Sequence, residues 1–217
     1  GKGTIIEGHV SIGSRSGIVK IGEKNHIFPG AAVGGPPQDL SYKGDATQLV
    51  IGNGNTIREF TTLNIASTKH QCVTRIGNNN YLMAYTHVGH DCQLGSNITM
   101  ANNSILGGHV EIEDNVVISA MCGVNQFCKI GKFSFLAAGS EVNKDVLPFS
   151  KAHGKFAVMR GTNKIGLQRN GYSMEEVSNV HRAIRIIVMG TETVEQAIDR
   201  ISTECNLSPN IEYLINF

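Results

Sequence analysis

From Ile76 onward, every sixth residue is aliphatic or methionine: Ile76, Leu82, Val88, Leu94, Met100, Leu106, Ile112, Ile118, Val124, Ile130, Leu136 and Val142. In a chain that is 41% hydrophobic overall, twelve successive positions obeying one rule do not arise by chance. Glycine follows the anchor at Gly77, Gly89, Gly95, Gly107 and Gly131, and Asn, Asp and Gly crowd the positions between. A period of six is neither the 3.6 of a helix nor the 2 of an amphipathic strand. It fits a triangular coil that sends one anchor inward from each side and turns at Gly, Asn or Asp, where left-handed backbone is cheap. Three sides make an 18-residue coil, and such coils stack in parallel as a solenoid. The turns of an ordinary β-sandwich would not keep one period over so many repeats.

The hexapeptide pattern resembles that of the left-handed parallel β-helix family, an exception to the right-handed crossover rule. An upstream block keeps the spacing at Ile21, Ile27 and Val33 and again at Ile51, Ile57 and Leu63. Ile6 and Ile12 are in step, with a slip of three residues afterwards. The fold expected is an all-β left-handed parallel β-helix over residues 1–147, with loop insertions near 35–48 and 64–75. A connecting segment spans 148–172, and a small α-helical C-terminal domain spans 173–217. In that domain Ser173 and Glu176 form a capping-box pattern, Val177, Val180, Ile184 and Ile187 share a face, and Gly190 ends the helix. Thr193 opens a second helix to about Cys205, and Pro209 opens a third. The tail or a neighbouring subunit is expected to cover the open end of the solenoid.

Composition narrows the function. A net charge of +1 with 17% charged residues gives no basic field for nucleic acid. No apolar run approaches the roughly 20 residues of a membrane span. Five cysteines in no pairing pattern (Cys72, Cys92, Cys122, Cys128 and Cys205) fit free thiols in a reducing cytosol, and no secretory signal is visible. A cytoplasmic location is therefore expected.

The coil register turns spacing into geometry, because residues 18 apart lie in adjacent strands about 4.8 Å apart. His90, Gly108 and Gln126 form one column, and Asp91 and His109 the next. Acyl transfer from a thioester to a hydroxyl needs a general base, worth roughly 10²–10⁴-fold, and a donor to the oxyanion. A neutral imidazole at His90 suits the first task and the N–H of Gly108 the second. Asp91 fixes the imidazole tautomer, directly or through a neighbouring group. One histidine on such a coil is most simply a solvated surface residue; His87, His90 and His109 together point further. They would form a metal site only where subunits converge, and no metal or cofactor is expected. Gly34-Gly35-Pro36-Pro37 is a turn, since no phosphate-loop lysine follows.

With these residues in place, the chain is similar to the UDP-N-acetylglucosamine O-acyltransferase family, which opens lipid A biosynthesis. The resemblance runs from about Ile21 to Phe217. It rests on Pro37-Gln38-Asp39-Leu40 with Gly44, Ile57-Arg58-Glu59, His87-Val88-Gly89-His90-Asp91-Cys92, Ala101-Asn102-Asn103, Gly107-Gly108-His109-Val110, Gln126-Phe127-Cys128 and Gly166-Leu167-Gln168-Arg169. It implies a homotrimer with active sites in clefts between prisms, and transfer of a (3R)-3-hydroxyacyl chain from acyl carrier protein to the sugar 3-hydroxyl. His90 would be the base, Asp91 its support and Gly108 the oxyanion donor. Asp39, His87, His109 and Gln126 would contact sugar, pantetheine or nucleotide, and Asn163 and Arg169 would hold donor or nucleotide. Met83 and Ala138 would line the acyl groove, where Ala138 replaces a frequent Gly and shortens the chain accepted. Lys144, Lys151, Lys155, Arg160 and Arg169 would meet the acidic carrier protein, or form a solvated face.

Four positions depart from the family. Ser41 stands where Lys is common, Asn125 replaces a His in the substrate-binding set, Phe156 a polar residue and Asn170 a second Arg. The changes fall around the acceptor and diphosphate, so the chemistry is expected to be kept with an altered acceptor, such as a 3-amino sugar analogue. A catalytically weak paralogue that binds sugar nucleotide or carrier protein is the alternative from another class.

Overall fold

The computed structural model describes residues 1–69 and 71–217; residue 70, inside the second insertion, lies outside the described residues. The period of six appears as a periodicity of burial, with none of the twelve anchors from Ile76 to Val142 more than 4% exposed. From Leu82 on, each anchor ends a two-residue strand, and successive coils pair in parallel: Leu82 with Met100, Val88 with Leu106, Leu94 with Ile112. Among the described residues the strands gather into sheets of nine, seven and six, the three faces of a prism. The chain is a left-handed parallel β-helix.

The corners differ from the sequence expectation. Asn79, Tyr85, Asp91, Asn97, Asn103, His109, Asn115, Met121, Phe127 and Phe133 occupy left-handed backbone, with φ between 55° and 67°. Half of these are neither Asn nor Asp, so ladder bonds on both flanking sides over-determine the conformation. The glycines after the anchors serve close approach instead. A Cβ on Gly89 would lie 2.9 Å from the carbonyl oxygen of Leu106 in the next coil. One corner also holds a buried asparagine ladder. Asn55 donates its N–H and Nδ2 to Asn25 Oδ1 at 2.8 and 3.0 Å and in turn accepts from the Asn80 N–H at 2.9 Å.

Each insertion lengthens one coil without breaking the stack. Ala32 pairs with Thr62 and Thr62 with His87, intervals of 30 and 25 residues in place of 18. Past Val142, strand Ser150–His153 joins the nine-stranded face and Val158–Thr162 folds back on it antiparallel. Four helices follow: α1 Lys164–Arg169, α2 Met174–Met189, α3 Val194–Glu204 and α4 Pro209–Asn216. Ser173 caps α2 by accepting from the Glu176 N–H, but the reciprocal half of the box is missing because the Glu176 carboxylate accepts from Ser208 and Asn210. The reciprocal box forms at α3, between Thr193 and Gln196. Gly190 ends α2 in extended rather than left-handed backbone. Phe149, Leu167, Val180, Ala183, Ile184 and Ile211 make a second core, against which Phe133 and Leu147 pack, and it closes the end of the prism. No described helix is long and apolar enough to cross a membrane.

Candidate active site

Strand His87–Val88 lies on the seven-stranded face and Gln93–Leu94 on the six-stranded face. The chain turns between them at His90 and Asp91, and Gly108-His109 and Gln126-Phe127 occupy the same corner of the next two coils. The two columns expected from an 18-residue spacing are therefore formed.

Asp91 is 2% exposed, and its Oδ2 meets His90 Nδ1 at 2.8 Å, so the adjacent side chains converge directly. The second insertion holds this carboxylate in place. The Ser67 N–H donates to Oδ2 at 2.9 Å, and the Asp91 N–H donates to Thr74 Oγ1 at 2.8 Å. Asp91 Oδ1 is buried with no partner among the described residues. His109 Nε2 lies 3.7 Å from the same Oδ2, and its ring stacks on Phe127 at 4.7 Å between centroids. The His90 ring lies over Gly108, where a Cβ would come within 2.6 Å of Cε1 and 2.7 Å of Nε2. Glycine is thus required there by the His90 ring itself, and its N–H has no acceptor among the described residues.

His87 faces the same side, with Nδ1 on Thr62 Oγ1 at 2.7 Å. Burial, and then the neighbouring charge of His90, lower its pKa below the ordinary imidazole value. Asp39 lies in the first insertion and binds Lys69 Nζ at 2.7 Å, while the N–H and Oγ of Ser41 both donate to its Oδ1 at 2.8 Å. Lys69 and then Ser41 hold its carboxyl well below the usual range. The second insertion therefore supplies a cation at Asp39, where Ser41 replaces the lysine frequent after this motif. Lys69, Asp91, Gln93, His109, Glu111 and Phe127 line a cleft of about 380 Å³.

Asn163 and Arg169 sit apart from this corner. Asn163 is buried: its Oδ1 caps α1 and its Nδ2 donates to the Phe133 carbonyl, so both ends serve the fold. It lines a groove of about 320 Å³ with Lys151, Ile165, Arg169 and Asn170. Asn125 and Gln126 are exposed beside the dyad, Met83 is half-buried, and Ala138 and Phe156 are exposed. The three histidines do not form one donor group within the chain; Asp91 takes the place of His87, and donor atoms of His90, Asp91 and His109 lie within 4.8 Å of one another. Thr62, Ser67, Lys69, Thr74 and Phe127 escaped the sequence reading. The first four lie in or before the insertions, where the 18-residue register does not apply. Phe127 follows Gln126 in the ladder, and nothing in the hexapeptide pattern signals that it stacks on His109.

A histidine with one nitrogen on a buried carboxylate and the other beside an open backbone N–H can move a proton and stabilise an oxyanion. Residues 145–217 match the family model described as UDP N-acetylglucosamine O-acyltransferase, domain 2, and residues 74–108 match the bacterial transferase hexapeptide model. An acyl-[acyl-carrier-protein]–UDP-N-acetylglucosamine O-acyltransferase of Herminiimonas arsenicoxydans is 44% identical over 187 residues, covering 86% of this chain and 71% of that one. The same-named enzyme of Halorhodospira halophila is 39% identical over 93% of this chain and 78% of its own. The crystal structure of a UDP-N-acetylglucosamine acyltransferase from Bacteroides fragilis matches with a TM-score of 0.89 at 33% identity, covering 99% of this chain and 94% of that one.

Proposed function

The chain belongs to the UDP-N-acetylglucosamine O-acyltransferase family, and from that membership we propose how its residues carry out the reaction. A (3R)-3-hydroxyacyl chain passes from the thioester of acyl carrier protein to the 3-position of UDP-N-acetylglucosamine, the first step of lipid A biosynthesis. His90 Nε2 takes the hydroxyl proton as the oxygen attacks the thioester carbonyl. Asp91 holds Nδ1 and stabilises the imidazolium that forms, and the Gly108 N–H receives the developing oxyanion. The proton then passes from His90 to the departing thiolate. The observation that carries this reading is the 2.8 Å contact between His90 Nδ1 and Asp91 Oδ2, with the ring seated on Gly108.

The active molecule is a homotrimer in this reading. Phe60, Tyr85, Ile105 and Met121 are each more than half exposed, beside the face that carries His87. An apolar strip of this kind on a soluble prism calls for a partner. Met83 and Ala138 line the acyl groove, and the methyl of Ala138 limits its depth. Gln126 and Asn125 contact the acceptor, Asp39 and Lys69 bind it from the insertions, and Arg169 with Lys151 meets phosphate. Carrier protein approaches the basic hairpin that holds Lys155 and Arg160.

The test supplies the assembled protein with 3-hydroxyacyl carrier proteins of graded length and either UDP-N-acetylglucosamine or its 3-amino analogue. Ester formation on the hydroxyl sugar is the expected result. Preference for the amine would change the acceptor and leave the base in place. Binding of sugar nucleotide without transfer would identify a paralogue that has lost turnover.

A further inference from the structure

We propose that the corner formed by His90, Asp91 and His109 is a binding site for a zinc-like divalent ion, and that occupancy switches off the base. Two imidazoles and a carboxylate are a zinc donor set, and three protein ligands leave room for a water in the fourth position. Zinc bonds of about 2.0–2.2 Å hold tetrahedral donors roughly 3.3 Å apart. The distances from Asp91 Oδ2 bracket that value, at 2.8 Å to His90 Nδ1 and 3.7 Å to His109 Nε2. All three donors lie within 4.8 Å of one another, so small side-chain adjustments close the site.

Two further observations point to a cation. Asp91 Oδ1 is buried with no partner among the described residues, so the carboxylate retains unused acceptor capacity beneath the surface. The cleft that reaches Asp91 and His109 also carries Glu111, while its one lysine, Lys69, is paired to Asp39. Among the described residues, the ion's route is thus not guarded by an unpaired lysine or arginine.

Occupancy has a defined chemical effect. As the base, His90 keeps its proton on Nδ1, facing Asp91, and leaves Nε2 open. A metal on Nδ1 displaces that proton to Nε2. The imidazole stays neutral with one proton, but the nitrogen that must accept the hydroxyl proton is now a donor. The ion is therefore an inhibitor and takes no part in turnover.

Zinc is titrated into the assembled wild-type protein against a chromophoric chelator, alongside His109→Gln, Asp91→Asn and the remote His153→Ala, with circular dichroism and hydrodynamic size as folding controls. One zinc per chain is expected in wild type and His153→Ala, weakened roughly 100-fold or more in folded His109→Gln and Asp91→Asn. Acyl transfer by wild type should fall in step with occupancy and return on chelation. Absence of stoichiometric zinc in wild type, or its retention at wild-type affinity in both ligand variants, would overturn the proposal. The binding measurement does not depend on transfer, so it stands apart from the assignment of substrate.

Discussion

At His90 and its neighbours the margins are small. Asp91→Asn keeps the shape but leaves an amide that cannot stabilise an imidazolium, and turnover is expected to fall by about 10²–10⁴-fold. Gly108→Ala places a methyl 2.6 Å from His90 Cε1. The ring must move away from the Gly108 N–H, so at least ~10²-fold of activity should go with little change in melting temperature; unchanged turnover in Gly108→Ala would separate His90 from that glycine. His87 gives a stability prediction. Its folded pKa is depressed, so its contribution is complete above the ordinary imidazole value, about 6.5, and is lost as pH falls toward the folded value. Denaturant titrations from pH 8 to 5 should show that decline, and His87→Gln should flatten it. The sequence made His90, Asp91, Gly108 and His109 legible because they stand 18 apart in an uninterrupted ladder. The supports of Asp91 were not legible: Ser67 and Thr74 act from an insertion, through a backbone N–H and a hydroxyl of common type.

At the level of elements, the hexapeptide ladder and the insertions divide the work. The ladder fixes position along the prism, and the insertions bring Ser67, Lys69 and Asp39 to the corner. The anchors were legible because burial has the same period as the sequence. The asparagine ladder was not, because Asn25, Asn55 and Asn80 are 30 and 25 residues apart, with both insertions intervening. Its weight is testable. Asn55 is fully buried and bonds Asn25, Asn80 and the Gly77 carbonyl. Asn55→Ala strands at least two of these groups and should cost about 2–4 kcal/mol by equilibrium unfolding. A loss below 0.5 kcal/mol would mean that water or a shifted strand replaces the ladder. In the tail, the half-formed box at Ser173 shows how a local signal yields to tertiary structure: Glu176 is drawn to Ser208 and Asn210 ahead of α4 and within it.

As a whole molecule, the prism carries its dyad on a corner whose flanking face is apolar and open. Ile105→Glu with Met121→Glu is expected to convert a trimer into monomers in analytical ultracentrifugation and to lower activity in proportion; trimers that persist would move the interface to another face. Ala138→Gly is expected to extend the preferred acyl chain, which competition between donors of different length would reveal. Neither outcome was readable beyond the family resemblance, because contacts between copies leave no periodic trace in one chain. His90 as the base is tested by single-turnover acyl transfer with wild type and His90→Ala from 3-hydroxyacyl carrier protein to UDP-N-acetylglucosamine. The prediction is a loss of about 10³-fold or more in a variant that keeps its assembly and its affinity for sugar nucleotide. Transfer within tenfold of wild type by a correctly assembled His90→Ala protein would contradict it.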